Sequence, residues 1–243
     1  MSRVVDLPSG AKLEIRSLTG KESKILSDKD AIKSGLFLDK ILKACTVSVL
    51  DPGPYPQSEV FDWGKALVGD RFYGLLIIRV ISLGEEYKFK LQCDQTACRE
   101  AFNFELNLLK DLPVQRLSEA GKALFAAGNV FETKDSNGKT VSFRLPTGQD
   151  ELASAKFNEF DGAFIQALMQ RIVSVEGVDD KRVYLEGSSW GDLLKLLDAF
   201  DEPNCGVDTD IEVMCPHCQG LQDIRLPFGR DFLLPSSKRS RKS

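Results

Sequence analysis

The sequence predicts an α+β fold built from two similar halves. Three observations carry that expectation. Two short cysteine pairs each sit between stretches of strictly alternating apolar residues, the pattern of a β-hairpin. Helical periodicity follows two Thr-x-x-acid starts. The features recur in the same order at a nearly constant spacing along 243 residues.

The elements follow in order. Lys12-Leu13-Glu14-Ile15-Arg16, after the turn residues Pro8-Ser9-Gly10, reads as a strand. Thr19-Gly20-Lys21-Glu22 is capping-box-like: the hydroxyl accepts an orphan amide and the carboxylate returns toward the cap. Ile32, Leu36, Ile41, Leu42 and Cys45 then keep helical spacing. Asp51-Pro52-Gly53-Pro54-Tyr55-Pro56 cannot be helix or inner strand and is expected to be an exposed excursion. Trp63-Gly64 is expected to lead into a helix from Asp70, as N-cap, to Ile81. Tyr87, Phe89 and Leu91 alternate before Cys93; Phe102, Phe104, Leu106 and Leu108 alternate after Cys98, giving a hairpin over 85–108.

The second half opens with Ser136-Asn137-Gly138 between alternating runs, a strong hairpin signal over 130–145. Thr147-Gly148-Gln149-Asp150 repeats the capped start at an offset of 128. Phe160, Phe164, Leu168 and Ile172 keep i+4 spacing, and Trp190 to Ala199 reads as a further helix. A last hairpin over 208–227 carries Cys215 and Cys218. Trp63-Gly64 and Trp190-Gly191 match at an offset of 127. The expectation is therefore two pseudo-duplicated halves, 1–128 and 129–235, followed by a basic tail, 236–243, with both tryptophans equivalent and buried.

The cysteines decide the chemistry. Cys93-x₄-Cys98 and Cys215-x₂-Cys218 each place two thiols at a hairpin tip, the form of a zinc knuckle. A knuckle supplies two ligands, whereas structural zinc takes four in a tetrahedron. One Cys₄ site from Cys93, Cys98, Cys215 and Cys218 is the favoured reading, a structural Zn²⁺ closing a loop of 122 residues. Free thiols, a small disulfide in each pair and a redox dithiol are the competing readings; the last wants a motif opening a helix. His217, inside the second pair, is an alternative ligand, Cys45 a core thiol and Cys205 a loop thiol.

Composition narrows the class. Net charge is −4, and the last eight residues hold four cations, Lys238, Arg239, Arg241 and Lys242, leaving an acidic body. That weighs against a protein that coats nucleic acid. The apolar run Leu75-Leu76-Ile77-Ile78 stops at Arg79, far short of the ~18–20 residues of a membrane helix, and Met-Ser-Arg-Val-Val-Asp does not read as a signal peptide. No P-loop, G-x-G-x-x-G, G-x-S-x-G or H-E-x-x-H occurs, and one histidine leaves little for a nucleophilic triad. No catalytic residue and no small-molecule substrate are expected.

The ordered set Leu18-Thr19-Gly20-Lys21-Glu22, Asp62-Trp63-Gly64, the C-x₄-C hairpin, Phe143-Arg144-Leu145-Pro146-Thr147-Gly148, Ser188-Ser189-Trp190-Gly191, Cys215-Pro216-His217-Cys218 and Phe232-Leu233-Leu234-Pro235 resembles the baseplate hub or hub-assembly proteins of contractile-tailed bacteriophages, the T-even-like base plate protein family. The resemblance runs from about Leu7 to Pro235. It implies a non-enzymatic protein of the virion tail or baseplate, made in the bacterial host cytoplasm. It also implies contacts with other baseplate hub proteins and with the tape measure protein, and metal-ligating roles for the four cysteines. A transient tail-assembly chaperone and a zinc-ribbon adaptor contacting nucleic acid are the alternatives. The Pro52–Pro56 loop and the segment from Phe232 to Ser243, outside the repeat, are the expected contact points; the apolar Phe232, Leu233 and Leu234 either anchor in a partner or, the commoner fate of such a cluster, fold back onto the core.

Overall fold

A computed structural model describes residues 1–154, 163–226 and 230–234. The chain is a mixed α+β protein whose sheets are all small and antiparallel. β1 (Ser2–Asp6) and β2 (Lys12–Arg16) form a hairpin, followed by a 3-10 turn, Gly20–Glu22. Three helices come next: α1 (Ser23–Ser27), α2 (Lys29–Lys33) and α3 (Leu36–Cys45). The single expected helix is broken between α2 and α3 because Gly35 takes a left-handed φ of 74°. α3 runs straight into β3 (Thr46–Asp51), which joins the edge of β2 to give the order β1-β2-β3.

The second half repeats this order. β7 (Phe131–Lys134) and β8 (Thr140–Phe143) form a hairpin, α6 (Gly148–Ser154) follows, and α7 (Ala163–Arg171) runs into β9 (Ile172–Val175), giving β7-β8-β9. The registers correspond as well. Leu13 faces Val49 and Glu14 faces Ser48, as Val141 faces Val175 and Ser142 faces Ser174. A register shift falls between Glu14 and Ile15 and again between Ser142 and Phe143. Both capped starts form. The Thr19 amide donates to Glu22 Oε2 at 2.7 Å and the Thr147 amide to Asp150 Oδ2 at 2.8 Å. Each carboxylate also receives an arginine from the preceding strand's end, Arg16 on Glu22 and Arg144 on Asp150. Phe160 of the expected helical face lies outside the described residues.

Each half continues into a long helix and a hairpin. α4 (Val68–Leu83) leads to β4 (Glu86–Gln92) and β5 (Ala101–Asn107). After β6 (Val114–Gln115), α5 (Glu119–Ala126) precedes the second half. There α8 (Lys181–Glu186) and α9 (Trp190–Asp201) lead to β10 (Gly206–Val207), β11 (Asp210–Met214) and β12 (Leu221–Arg225). β10 pairs with β6, stitching the halves together. The N-termini of α4 and α9 lie 122 residues apart, as do Cys93 and Cys215. The tryptophans, at 127, are off that register.

Trp63 and Trp190 are accordingly not equivalent, which corrects the expectation that both are buried. Trp63 is fully buried, five residues before α4, its indole N–H on Thr46 Oγ1 at 2.9 Å and its ring edge-on to Phe61. Trp190 is the first residue of α9 and is 62% exposed, leaning on Phe164.

Asp70 is not the N-cap of its helix. α4 starts at Val68, and its first free amides are taken by tertiary groups: the Leu67 amide donates to Tyr55 Oη at 3.0 Å and the Val68 amide to the Pro146 carbonyl at 3.0 Å. Asp70 sits fully buried and accepts from the Ser9 amide at 2.9 Å and Tyr55 Oη at 2.6 Å. Burial pushes its carboxyl above the usual range, against those two hydrogen bonds. The proline-rich loop is thus an excursion whose tip turns inward: Tyr55 is buried and plugs the start of α4.

One apolar cluster gathers β1–β3, α3 and α4 with Leu226, Phe232 and Leu233; another gathers β7–β9, α7 and α9 with Leu67 and Leu117. Of the two readings of Phe232 and Leu233, partner anchor or fold-back, the burial matches fold-back: they are 1% and 2% exposed, and Phe232 packs edge-on to Tyr87. An apolar chain end beside a core gains more by folding back than by facing water. Between the clusters lies Arg71 of α4, fully buried, with ion pairs to Asp39 of α3 and Glu151 of α6 and a bond to the Trp63 carbonyl. Cys45 is core, as expected; Cys205, expected in a loop, is buried because the chain beside it passes against α4, where Gly69 and Gly206 meet backbone to backbone.

Candidate metal centre

The hairpins β4–β5 and β11–β12 stand face to face. β4 pairs with β5 from Glu86–Asn107 to Gln92–Ala101, and β11 with β12 from Asp210–Arg225 to Met214–Leu221. Alternation sends Leu91, Phe102 and Phe104 of the first toward Ile211, Val213 and Ile224 of the second, a small core shared with Cys93 and Cys215. Core packing is thus the role of the phenylalanines.

Each strand pair ends in a turn of the same construction. The Cys93 amide donates to the Glu100 carbonyl at 2.9 Å, and the Cys215 amide to the Gly220 carbonyl at 2.9 Å. In each turn the residue after the second cysteine takes a left-handed φ: 54° at Arg99, 62° at Gln219. Non-glycine residues rarely adopt that region, and its recurrence at equivalent positions marks a designed turn. Curling the backbone this way aims amides at sulfur: those of Gln95 and Glu100 at Cys93 and Cys98, those of His217 and Cys218 at Cys215.

The four sulfurs converge. All lie within 4.8 Å of one another, with Cys93 Sγ 3.6 Å from Cys218 Sγ and Cys98 Sγ 3.9 Å from Cys215 Sγ. Zn–S bonds of about 2.3 Å in a tetrahedron require sulfurs about 3.8 Å apart. The donor set therefore fits a thiophilic ion such as zinc. Burial drives the Cys93 thiol up to about 12. Burial acts the same way on Cys215, yet the amides of Cys218 and His217 and the neighbouring thiols bring it down to about 7. Metal ligands must be thiolates, and the amides aimed at Cys215 favour that form. Cys93 and Cys215 are buried, Cys98 intermediate and Cys218 exposed. His217 is exposed and does not belong to the cluster.

Residues without an obvious sequence signal hold the hairpins together. Gln222, largely buried, accepts from the Asp94 amide at 3.0 Å and donates to the Gln92 carbonyl at 3.3 Å. Gln95 donates to the Leu221 carbonyl at 3.3 Å. The one hint was position: Gln222 falls where alternation calls for an apolar residue.

The fold and this site define a class first: a mixed α+β protein whose small antiparallel hairpins converge on a four-thiol cluster able to hold a metal ion. A family model described as T4 bacteriophage base plate protein matches residues 1–233, nearly the whole chain, and the chain belongs to that family. No curated protein and no solved structure matches it. The family assigns the protein a structural role in the phage baseplate, in contact with other baseplate proteins. Among the described residues, no helix is long and apolar enough to cross a membrane.

Proposed function

We propose that this chain is a non-enzymatic component of the contractile-tail baseplate hub, built into the hub or helping to assemble it, and that it acts through protein–protein contacts. The observation that carries this reading is the family match over residues 1–233. A structural zinc held by Cys93, Cys98, Cys215 and Cys218 belongs to the same reading, supported by sulfur spacings close to those of a tetrahedral site. Four thiolates close the coordination sphere, so the ion staples rather than catalyses. The halves on either side of residue 128 are read as a repeat of sequence and topology, supported by the matched sheet order and register. The clusters share members across that boundary, which suits one interlocked body.

Three experiments test this. Phage lacking the gene should make no infectious tails, and wild-type protein supplied in trans should restore them. Mass spectrometry of purified virions separates a resident subunit from a transient assembly chaperone. Retention on a nucleic-acid column at physiological salt would instead favour the adaptor reading.

A further inference from the structure

The two knuckle hairpins match position by position, and their outer faces differ. Offsets of 122 on the first strand and 120 on the second place Lys88 opposite Glu105 where Asp210 lies opposite Arg225. Both are ion pairs, at 2.9 Å and 2.7 Å, with the signs exchanged. One step toward the tip, Lys90 and Asn103 of the first hairpin correspond to Glu212 and Asp223 of the second. At the tip, Gln92 and Ala101 correspond to Met214 and Leu221. The first face is polar and carries no like-charge pair across its strands. The second joins an exposed apolar pair, Met214 at 60% and Leu221 at 54%, to two carboxylates directly opposite one another.

The first of these features returns no stability to the isolated protein and the second costs it some. Exposed apolar side chains gain nothing from folding, and like charges opposite each other on a sheet repel. No ion pair to Glu212 or Asp223 occurs among the described residues, and Asp208 and Asp210 add negative charge at the base against Arg225. The inward residues of the same strands, Ile211, Val213 and Ile224, already complete the small core, so Met214 and Leu221 are not needed there. An unpartnered apolar pair flanked by uncompensated charge of one sign is the pattern of a binding face. Methionine there suits it, being able to fit irregular apolar partners.

We propose that the outer face of β11–β12, Met214 and Leu221 beside Glu212 and Asp223, docks a cationic, leucine- or methionine-bearing segment of another baseplate protein. The charge fixes the sign of the partner and the tip fixes its apolar content. The inference rests on the reading that this protein works through protein contacts, and it names the surface. The chain's own tail, Ser236 to Ser243, has the right charge and no large apolar residue to cover the tip.

The test uses the full zinc-loaded chain and, as probe, a labelled short peptide of alternating lysine and leucine, with a lysine–serine peptide as reference. Three variants are compared: Glu212→Lys/Asp223→Lys, Met214→Ser/Leu221→Ser, and Lys90→Glu on the first hairpin. Zinc content and melting temperature confirm that each is folded. The charge reversal and the apolar truncation should each weaken lysine–leucine binding about tenfold or more, while Lys90→Glu leaves it within about twofold. Equal binding by all variants overturns the proposal. So does tighter binding after truncation at Leu234, which would mean the tail occupies the face. A dimer that becomes monomeric in Met214→Ser/Leu221→Ser would assign the face to a second copy instead. In phage, the two double variants should accumulate as folded protein and fail to restore infectious particles to a gene-deleted strain. Full restoration rejects the surface and leaves the baseplate reading intact; particles formed without the gene reject that reading itself.

Discussion

Trp63 and Trp190 both precede a glycine and both stand shortly before or at the start of a long helix, yet one is fully buried and the other is 62% exposed. The difference lies in what each half asks of the position. Trp63 has an indole partner in Thr46 and space beside Gly74, whose missing Cβ lets the ring approach α4. Its loop also pairs with the capped start of the second half: Gly148 and Gln149 donate to the carbonyls of Ala66 and Gly64 at 3.0 and 2.8 Å. Trp190 begins a helix already capped by Ser189 and touches only Phe164 among the aromatic rings described. The sheets β1-β2-β3 and β7-β8-β9 share strand order and capped helix starts, and the surroundings of the two tryptophans differ.

The largest expected effect strikes what the halves share. Cys215→Ser should forfeit most of the metal-linked folding energy, of order 10 kcal/mol for a structural zinc, whereas Cys45→Ser should cost about 1–2 kcal/mol. Elemental analysis should find about one zinc per wild-type chain, and equal melting shifts for the two variants would break the shared-site picture. Next come the contacts of α4 and of the loop that leads into it. Arg71→Ala should cost about 3–5 kcal/mol in denaturant unfolding, because it strands Asp39 and Glu151 and opens a hole between the clusters. Trp63→Ala should cost a similar 3–5 kcal/mol, against less than about 1 kcal/mol for Trp190→Ala. Similar losses for the two tryptophans would restore their equivalence.

Smaller effects test the caps. Tyr55→Phe leaves the Leu67 amide and Asp70 short of a partner and should cost about 2–3 kcal/mol. The Arg16 guanidinium, with the Thr19 amide and hydroxyl, holds Glu22 at about 2, below its ordinary value near 4.5. A depressed carboxyl contributes stability that is complete above the unfolded value and is lost as pH falls toward 2. Between pH 5 and 2, Glu22→Gln should therefore flatten the acid limb of the stability curve by a modest amount.

Local chemistry was legible in the sequence, and of the tertiary chemistry the four-thiol cluster alone was. Thr19 with Glu22, Thr147 with Asp150 and the Asn137-Gly138 hairpin rely on residues a few positions apart, so spacing reveals them. The four thiols were legible because a half-filled ligand set implies another half. Asp70 misled because its neighbours in sequence fit a cap while its partners, Ser9 and Tyr55, are distant along the chain. The Trp-Gly match misled because a shared dipeptide carries no register; the starts of α4 and α9 and the paired cysteines are 122 residues apart, and Trp63 and Trp190 are 127 apart. Gln222 could be read only as a polar residue at an apolar position, since its role exists only between two hairpins.

The 122 residues between Cys93 and Cys215 also set a clock. At ribosomal rates of about 5–20 residues per second, the first knuckle waits roughly 6–25 seconds for its counterpart. Throughout that interval it offers two thiols where a closed site needs four, and two ligands bind zinc far less firmly. The shared core of Leu91, Phe102 and Val213 is equally incomplete until β11 arrives. On the proposed zinc site, the metal would therefore act as a late checkpoint: a chain translated and folded through Cys218 presents all four thiols, and any truncated product is left with two thiols and an open hairpin face.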